Sequence, residues 1–250
     1  MTTWVVGDIH GCAEELSRLL ARLQLGPADR LVSVGDLFHR GPDPVGVMDQ
    51  LAALRAPFVL GNHELAVLQR AGLAPKSSRV DPAHARPPPR SEFPELDGSD
   101  LDGDGGTPCD VAPHERARIL HYLQTHSGFF LRDTAIENAA PTAEGQAWCV
   151  VHASRALGAA LEDSTIKELV SRRHLDLPGR PWWYEHYRGP ELVLFGHTPS
   201  ALPRAWRVGG RLVALGLDTG CVYGGRLSAY SPELDELVSV AAAKAYAKAR

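Results

Sequence analysis

The chain has 250 residues, enough for one domain of generous size with a substantial core. Its 26 Lys and Arg are outnumbered by 30 Asp and Glu, a formal charge of −4, so nothing favours indiscriminate binding to nucleic acid. The opening MTTWVVGDIHG lacks the basic and long apolar regions of a signal peptide, and no run approaches the roughly 20 apolar residues that cross a bilayer.

Cys12, Cys109, Cys149 and Cys221 form no CxxC pair and read as reduced thiols, so a cytoplasmic protein with no membrane and no stable nucleic-acid partner is expected. Short apolar runs ending in Gly or a small turn recur along the chain: TWVVGD, RLVSVGD, FVLGNH, WCVVHAS, ELVLFGH and LVALGLDTG. Each has the length and branched-residue content of a buried strand. Between the early runs, Leu16, Leu19, Leu20 and Leu23 mark one face of a helix over 13–23. A second helix is expected over 45–54, with Pro44 at its start. Strand alternating with helix predicts an α/β domain whose core is largely parallel.

The pattern breaks over about 74–113, where PPPR, acidic residues and a Gly-rich tract predict a surface insertion or lid. Helical character returns at HERARILHYLQTH and DSTIKELVSRR. After His197 the chain reads as antiparallel, with a hairpin turn inside RLSAYSPELDELVSV, and the AAAKAYAKAR tail reads as a solvated helix or frayed end. One domain over 1–250, carrying that insertion, is expected.

Polar groups stand where strands give way to loops: Asp8 and His10 in GDIHG, Asp36 in GDLFHRG, Asn62 and His63 in GNHE, His152 in VHAS, and His197 in FGHTP. Ligands collect at the carboxyl ends of parallel strands, and the neighbouring glycines let the backbone turn sharply there. Carboxylate, imidazole and amide oxygen together suit borderline divalent metals such as Mn, Fe or Zn. The donors outnumber the needs of one ion, and one carboxylate could bridge two ions about 3.5–4 Å apart. A single strand-end Asp more often caps a helix than binds metal; five such motifs in succession, each after an apolar run, argue for a site.

GDIHG, GDLFHRG, GNHE, VHA and GHT, in that order, resemble the calcineurin-like metallophosphoesterases, and the resemblance covers residues 4 to about 230 apart from the insertion. It implies an αββα two-sheet sandwich with a dinuclear metal centre at strand ends. It places Asp8 and His10 on one metal, Asp36 between both, Asn62, His152 and His197 on the second, and His63 as general acid. Two ions, Mn or alternatively Fe, Zn, Co or Mg, would lower the pKa of a bridging water, and the hydroxide would attack phosphorus in line. Arg40 offers a planar fork for the phosphoryl oxygens.

The GDxxxRG form points to the serine/threonine-phosphatase-like branch of that family. Protein phosphatases usually carry Asp where this chain has His39, and LDTGCVYGGRLSAY resembles the signature of symmetrical diadenosine tetraphosphatases and of small bacterial relatives. The reading is therefore a small-molecule nucleotide substrate, diadenosine tetraphosphate cleaved to two ADP. Phosphoproteins carrying phospho-Ser/Thr or phospho-Tyr are the alternative. His39 is a neighbour of ligands or substrate, or simply exposed, rather than a ligand itself. Arg188 is a candidate second phosphate clamp and Tyr223 a candidate contact near the leaving group, each with a structural role as the competing reading. Trp182 and Trp183 form a candidate aromatic wall, with one of them expected in the core. Asp100, Asp102 and Asp104 mimic an EF-hand start, but Val111 stands where the loop needs Glu.

Overall fold

A computed structural model describes residues 1–73, 111–136 and 139–248. In chain order the elements are β1 (Thr3–Val6), α1 (Ala13–Leu23), β2 (Arg30–Ser33), α2 (Pro44–Ala53), β3 (Phe58–Val59) and α3 (Asn62–Arg70). There follow α4 (Pro113–His126), β4 (Ser127–Gly128), β5 (Phe130–Arg132), β6 (Trp148–Val151), α5 (Ile166–Ser171) and β7 (Leu192–Phe195). The chain finishes with β8 (Arg204–Val208), β9 (Arg211–Gly216), β10 (Arg226–Ser231) and β11 (Glu236–Ala241).

These strands make two sheets, one ordered β11-β10-β1-β2-β3-β4 and the other β5-β6-β7-β9-β8. The first is parallel from β1 to β4 and antiparallel where β10 meets β1. In the second, β6, β7 and β9 run parallel between antiparallel edge strands β5 and β8. All six apolar runs picked out above are therefore strands, and all six are the parallel ones.

Side-chain alternation explains the layering. Val5, Val32 and Val59 of the first sheet pack with Trp148, Val150, Leu192, Leu194 and Leu215 of the second, forming the layer between them. Their neighbours Trp4, Val6 and Leu31 point to the opposite face, where Leu16, Leu19, Val47, Met48 and Leu51 of α1 and α2 cover them. Successive strand residues face opposite sides, so an uninterrupted apolar strand is buried on both. Each fully buried Val or Leu contributes about 1.5–3 kcal/mol. This is a mixed α/β architecture of two sheets flanked by helices.

Local chemistry sets the helix ends. Asp43 accepts from Gly46 N–H at 2.7 Å ahead of Pro44, a cap joined to a preset first turn. Thr165 caps α5, and Glu168 closes the reciprocal bond at 2.7 Å. That helix is shorter than DSTIKELVSRR suggests, ending at Ser171.

Two expectations need correction. The tail is neither helical nor frayed through residue 248: Ala242 N–H donates to Gly225 O, and Ala245 bridges Tyr223. Tyr246 and Ala247 N–H groups donate to Val222 O, and the Tyr246 hydroxyl donates to buried Glu15 at 3.0 Å. Tertiary partners override the helix propensity of an Ala/Lys-rich string. Second, Pro113 opens α4 rather than closing an insertion; residues 74–110, with the acidic EF-hand mimic and Cys109, lie outside the described residues. Among the described residues no helix is long and apolar enough to cross a membrane.

Candidate active site

The carboxyl ends of β1, β2, β3, β6, β7 and β9 meet at one cavity of about 500 Å³, within the usual range for small-molecule sites. Asp8, His10, Asp36, Arg40, Asn62, His63 and His197 line it, with Arg173, His174, Trp182, Arg204, Asp218, Tyr223 and Lys248. His152 lies beneath this lining, fully buried.

Backbone geometry aims these groups. Eight non-glycine residues among those described have positive φ, and half of them belong to the site: His10 (48°), Asp36 (51°), Arg40 (77°) and His197 (68°). Such conformations are costly without Gly and persist where surrounding structure enforces them, a concentration typical of functional loops. Gly61 is required for a different reason: a Cβ there would stand 2.7 Å from the Asp36 backbone nitrogen and collide with its carboxylate.

Asp36 is the hub. One carboxylate oxygen lies 3.6 Å from His10 Nε2 and 3.9 Å from His63 Nε2; the other lies 3.5 Å from His152 Nε2. The His63 backbone N–H also donates to it at 3.3 Å. Burial opposes ionisation of Asp36, but His152, His63, His10 and His197 outweigh it and hold its pKa below the usual range. Two groups of donors close enough to share an ion overlap at this residue, His10–Asp36–His63 and Asp36–His152–His197.

The chemistry of these atoms fits divalent cations. Burial pushes His10 and His197 down to about 3 and lowers His152, so all three imidazoles are neutral with a lone pair to offer. His152 Nδ1–H donates to Val34 O at 2.8 Å, which turns the lone pair of Nε2 toward Asn62 Oδ1 at 3.2 Å and Asp36. Three acceptor atoms thus face one another, an arrangement that a cation between them resolves. Around them sits further acidity. Burial, then Asp218 and Asp36, raise Asp8; Asp218 is pushed up to about 7, mainly by burial. Asp8 is oriented by the His197 backbone N–H, which donates to its two oxygens at 3.0 and 3.2 Å.

Sequence reading passed over several participants. Glu64, fully buried behind Asp36, accepts from the N–H groups of Asp36, Leu37 and Gly61 at 2.8–3.0 Å and so shapes the hub loop. It stands in GNHE, the motif already read for its Asn and His. Asp218 ends LVALGLD, and the strand-end rule applied to the other runs would have found it. His174 and Arg204 gave no local signal. His174 stacks on Trp182 with ring centroids 4.0 Å apart, and the Arg204 guanidinium lies 4.4 Å over the same ring.

Among the residues that sequence reading named, Arg40 and Tyr223 come together: the guanidinium donates to the Tyr223 hydroxyl at 2.6 Å. His39 is buried, 4 % exposed, with its ring centroid 5.0 Å from that of His63, which removes the surface alternative. Trp182 lines the cavity while Trp183 is buried in the core. Arg188 is not brought to the cavity lining. Its guanidinium instead donates to the carbonyls of Glu185 and Tyr187 at 2.7 and 2.8 Å, closing the turn after Trp183.

Comparison with known proteins agrees with this geometry. The family model for calcineurin-like phosphoesterases matches residues 1–201. A symmetrical bis(5'-nucleosyl)-tetraphosphatase of Janthinobacterium sp. is 28 % identical, with 92 % of each chain covered. The asymmetrical bis(5'-nucleosyl)-tetraphosphatase PrpE of Anoxybacillus flavithermus is 30 % identical over 97 % of this chain and 95 % of its own. A crystal structure assigned provisionally as a diadenosine tetraphosphatase superposes with a TM-score of 0.66 at 27 % identity, covering 96 % of this chain and 93 % of the other.

Proposed function

The chain belongs to the calcineurin-like phosphoesterase family and is a hydrolase of phosphoesters or phosphoanhydrides, and from that premise we propose that it cleaves dinucleoside polyphosphates, splitting diadenosine tetraphosphate and water into two ADP. The observation that carries this reading is the match to tetraphosphatases along more than nine-tenths of both chains, not only through the shared strand-end motifs.

In this reading Asp8, His10 and Asp36 hold one divalent ion, and Asp36, Asn62, His152 and His197 hold the other. The ions, with Mn²⁺ suited to this mixture of oxygen and nitrogen donors, supply Lewis acidity and lower the pKa of water toward neutrality. Arg40 binds the phosphoryl oxygens, its plane fixed by the Tyr223 hydroxyl. Arg173, which donates to His197 O at 3.0 Å, faces the same cavity. His63 gives a proton to the departing oxygen. Its distance from Asp36 alone also admits a ligand role; metal content of His63→Ala decides between them. His39 packs beside His63 where the resemblance to protein phosphatases would require a carboxylate, so it limits how that ring turns.

The test is product analysis with Mn²⁺ and diadenosine tetraphosphate. ADP alone is expected. AMP with ATP would assign the asymmetrical cut, a second mode favoured by the 30 % identity to PrpE. Faster turnover of phosphopeptides than of dinucleotides would replace the reading with a protein phosphatase.

A further inference from the structure

Beyond the donor cluster, one wall of the cavity has chemistry that hydrolysis at a single phosphate does not use. Arg204, at the start of edge strand β8, and Lys248, in the C-terminal segment, both line the cavity. Among the described residues neither has a carboxylate partner within ion-pair distance, whereas Arg18, Arg118, Arg132, Arg155 and Arg172 each do. Surface cations are cheap to leave in water, but Arg204 is not simply in water. Its guanidinium is stacked over Trp182, which His174 backs on a further contact, and its Nε is buried with no hydrogen-bond partner.

Stacking fixes the plane of a guanidinium and leaves its in-plane N–H edges for a ligand. Those edges are scarcely used here: the contacts to Tyr184 hydroxyl and Pro199 O are both long, at 3.4 Å. A planar, pre-oriented, under-used donor fork in a cavity suits phosphate oxygens. Arg40 already meets that description beside the hub, where it acts on the charge of His10 and Asp218. Arg204 packs instead against Trp182 and Tyr184, on the flank contributed by the second sheet.

We infer that Arg204, held by Trp182 and assisted by Lys248, forms a second anionic subsite that binds the phosphates remote from the one attacked, so that the cavity selects phosphate chains over single phosphates. This rests on the polyphosphate reading above and deepens it. A chain carrying one negative charge per phosphate spans both cationic positions; a monophosphate reaches only the inner one. The aromatic stack acts here as a rigid support for Arg204, so recognition is of the chain and tolerates different bases.

Calorimetric titration of the Mn²⁺-loaded protein, at buffered free Mn²⁺, with inorganic tripolyphosphate and with orthophosphate tests this without turnover. Tripolyphosphate is expected to bind at least about tenfold more tightly than orthophosphate, the worth of one added charge-assisted hydrogen bond. R204Q should weaken tripolyphosphate about tenfold and the more exposed K248Q about threefold, with orthophosphate shifted less than about twofold. W182A, which keeps the charge but removes the support, should weaken tripolyphosphate in the same selective way. Equal affinity for the two anions in the wild type overturns the inference, and so does parallel weakening of both, or of neither, in R204Q and K248Q. Failure of the wild type to cleave diadenosine tetraphosphate would remove the dinucleotide reading while leaving the tripolyphosphate result to stand or fall separately.

Discussion

Two buried places in this molecule gather side chains that could hold a metal, and they differ in how their charge is met. Around Asp36 the imidazoles are neutral, acceptor atoms face acceptor atoms, and neighbouring carboxylates resist ionisation. The second place is Cys12, Glu15 and Cys221, also buried and close enough to share an ion. There, however, one oxygen of Glu15 accepts from Arg18 at 3.2 Å, Ala243 N–H at 2.9 Å and the Tyr246 hydroxyl at 3.0 Å. Ordinary donors meet much of that charge, and the bonds tie α1 to the C-terminal segment. Proximity of ligand types is thus a weak sign of a metal site; proximity without donors is a stronger one.

Substitutions can break this contrast. Asp36→Asn should have the largest effect, removing both ions together and lowering turnover on the order of 10³-fold or more. Elemental analysis alongside rate measurement checks it, and two retained ions would remove Asp36 from its bridging place. His63→Ala should retain both ions and slow hydrolysis of an alkyl phosphate about 10²-fold, with a smaller loss on a phosphoanhydride whose leaving group needs less protonation. Unchanged rates on both substrates would leave His63 without a role as acid.

At the second cluster the effects should fall on stability instead. Glu15→Ala should leave metal content unchanged and cost about 2 kcal/mol in denaturant unfolding, because the buried Ala243 N–H and Tyr246 hydroxyl lose their acceptor. Cys221→Ser should be the mildest change, about 1 kcal/mol of stability, again with metal content intact. A lost ion in either variant would erase the distinction between the two places.

Sequence signals varied with how local their physics is. The six parallel strands were legible because burial on both faces demands uninterrupted apolar runs, and a turn must follow each. Asp8, His10, Asp36, Asn62 and His197 were legible because each follows such a run, and strand direction sends all of those turns to one edge. Glu64 was hidden by its position among more familiar donors, although it shapes the Asp36 loop through three backbone bonds. The tail was misread because its composition favours a helix while its partners, Val222, Gly225 and Glu15, lie far away in sequence.

What the sequence determined alone, then, was the alternation of strand and helix, the strand-end donor set and the family it belongs to. All of these follow from periodicities and motifs confined to a few neighbouring residues. Tertiary structure decided which groups share the cavity: it set Tyr223 against Arg40, placed Trp182 at the wall and Trp183 in the core, stacked His174 and Arg204, and turned Arg188 onto backbone carbonyls. Those outcomes depend on where two sheets meet, and contacts between residues distant along the chain leave no period or spacing for a sequence to show.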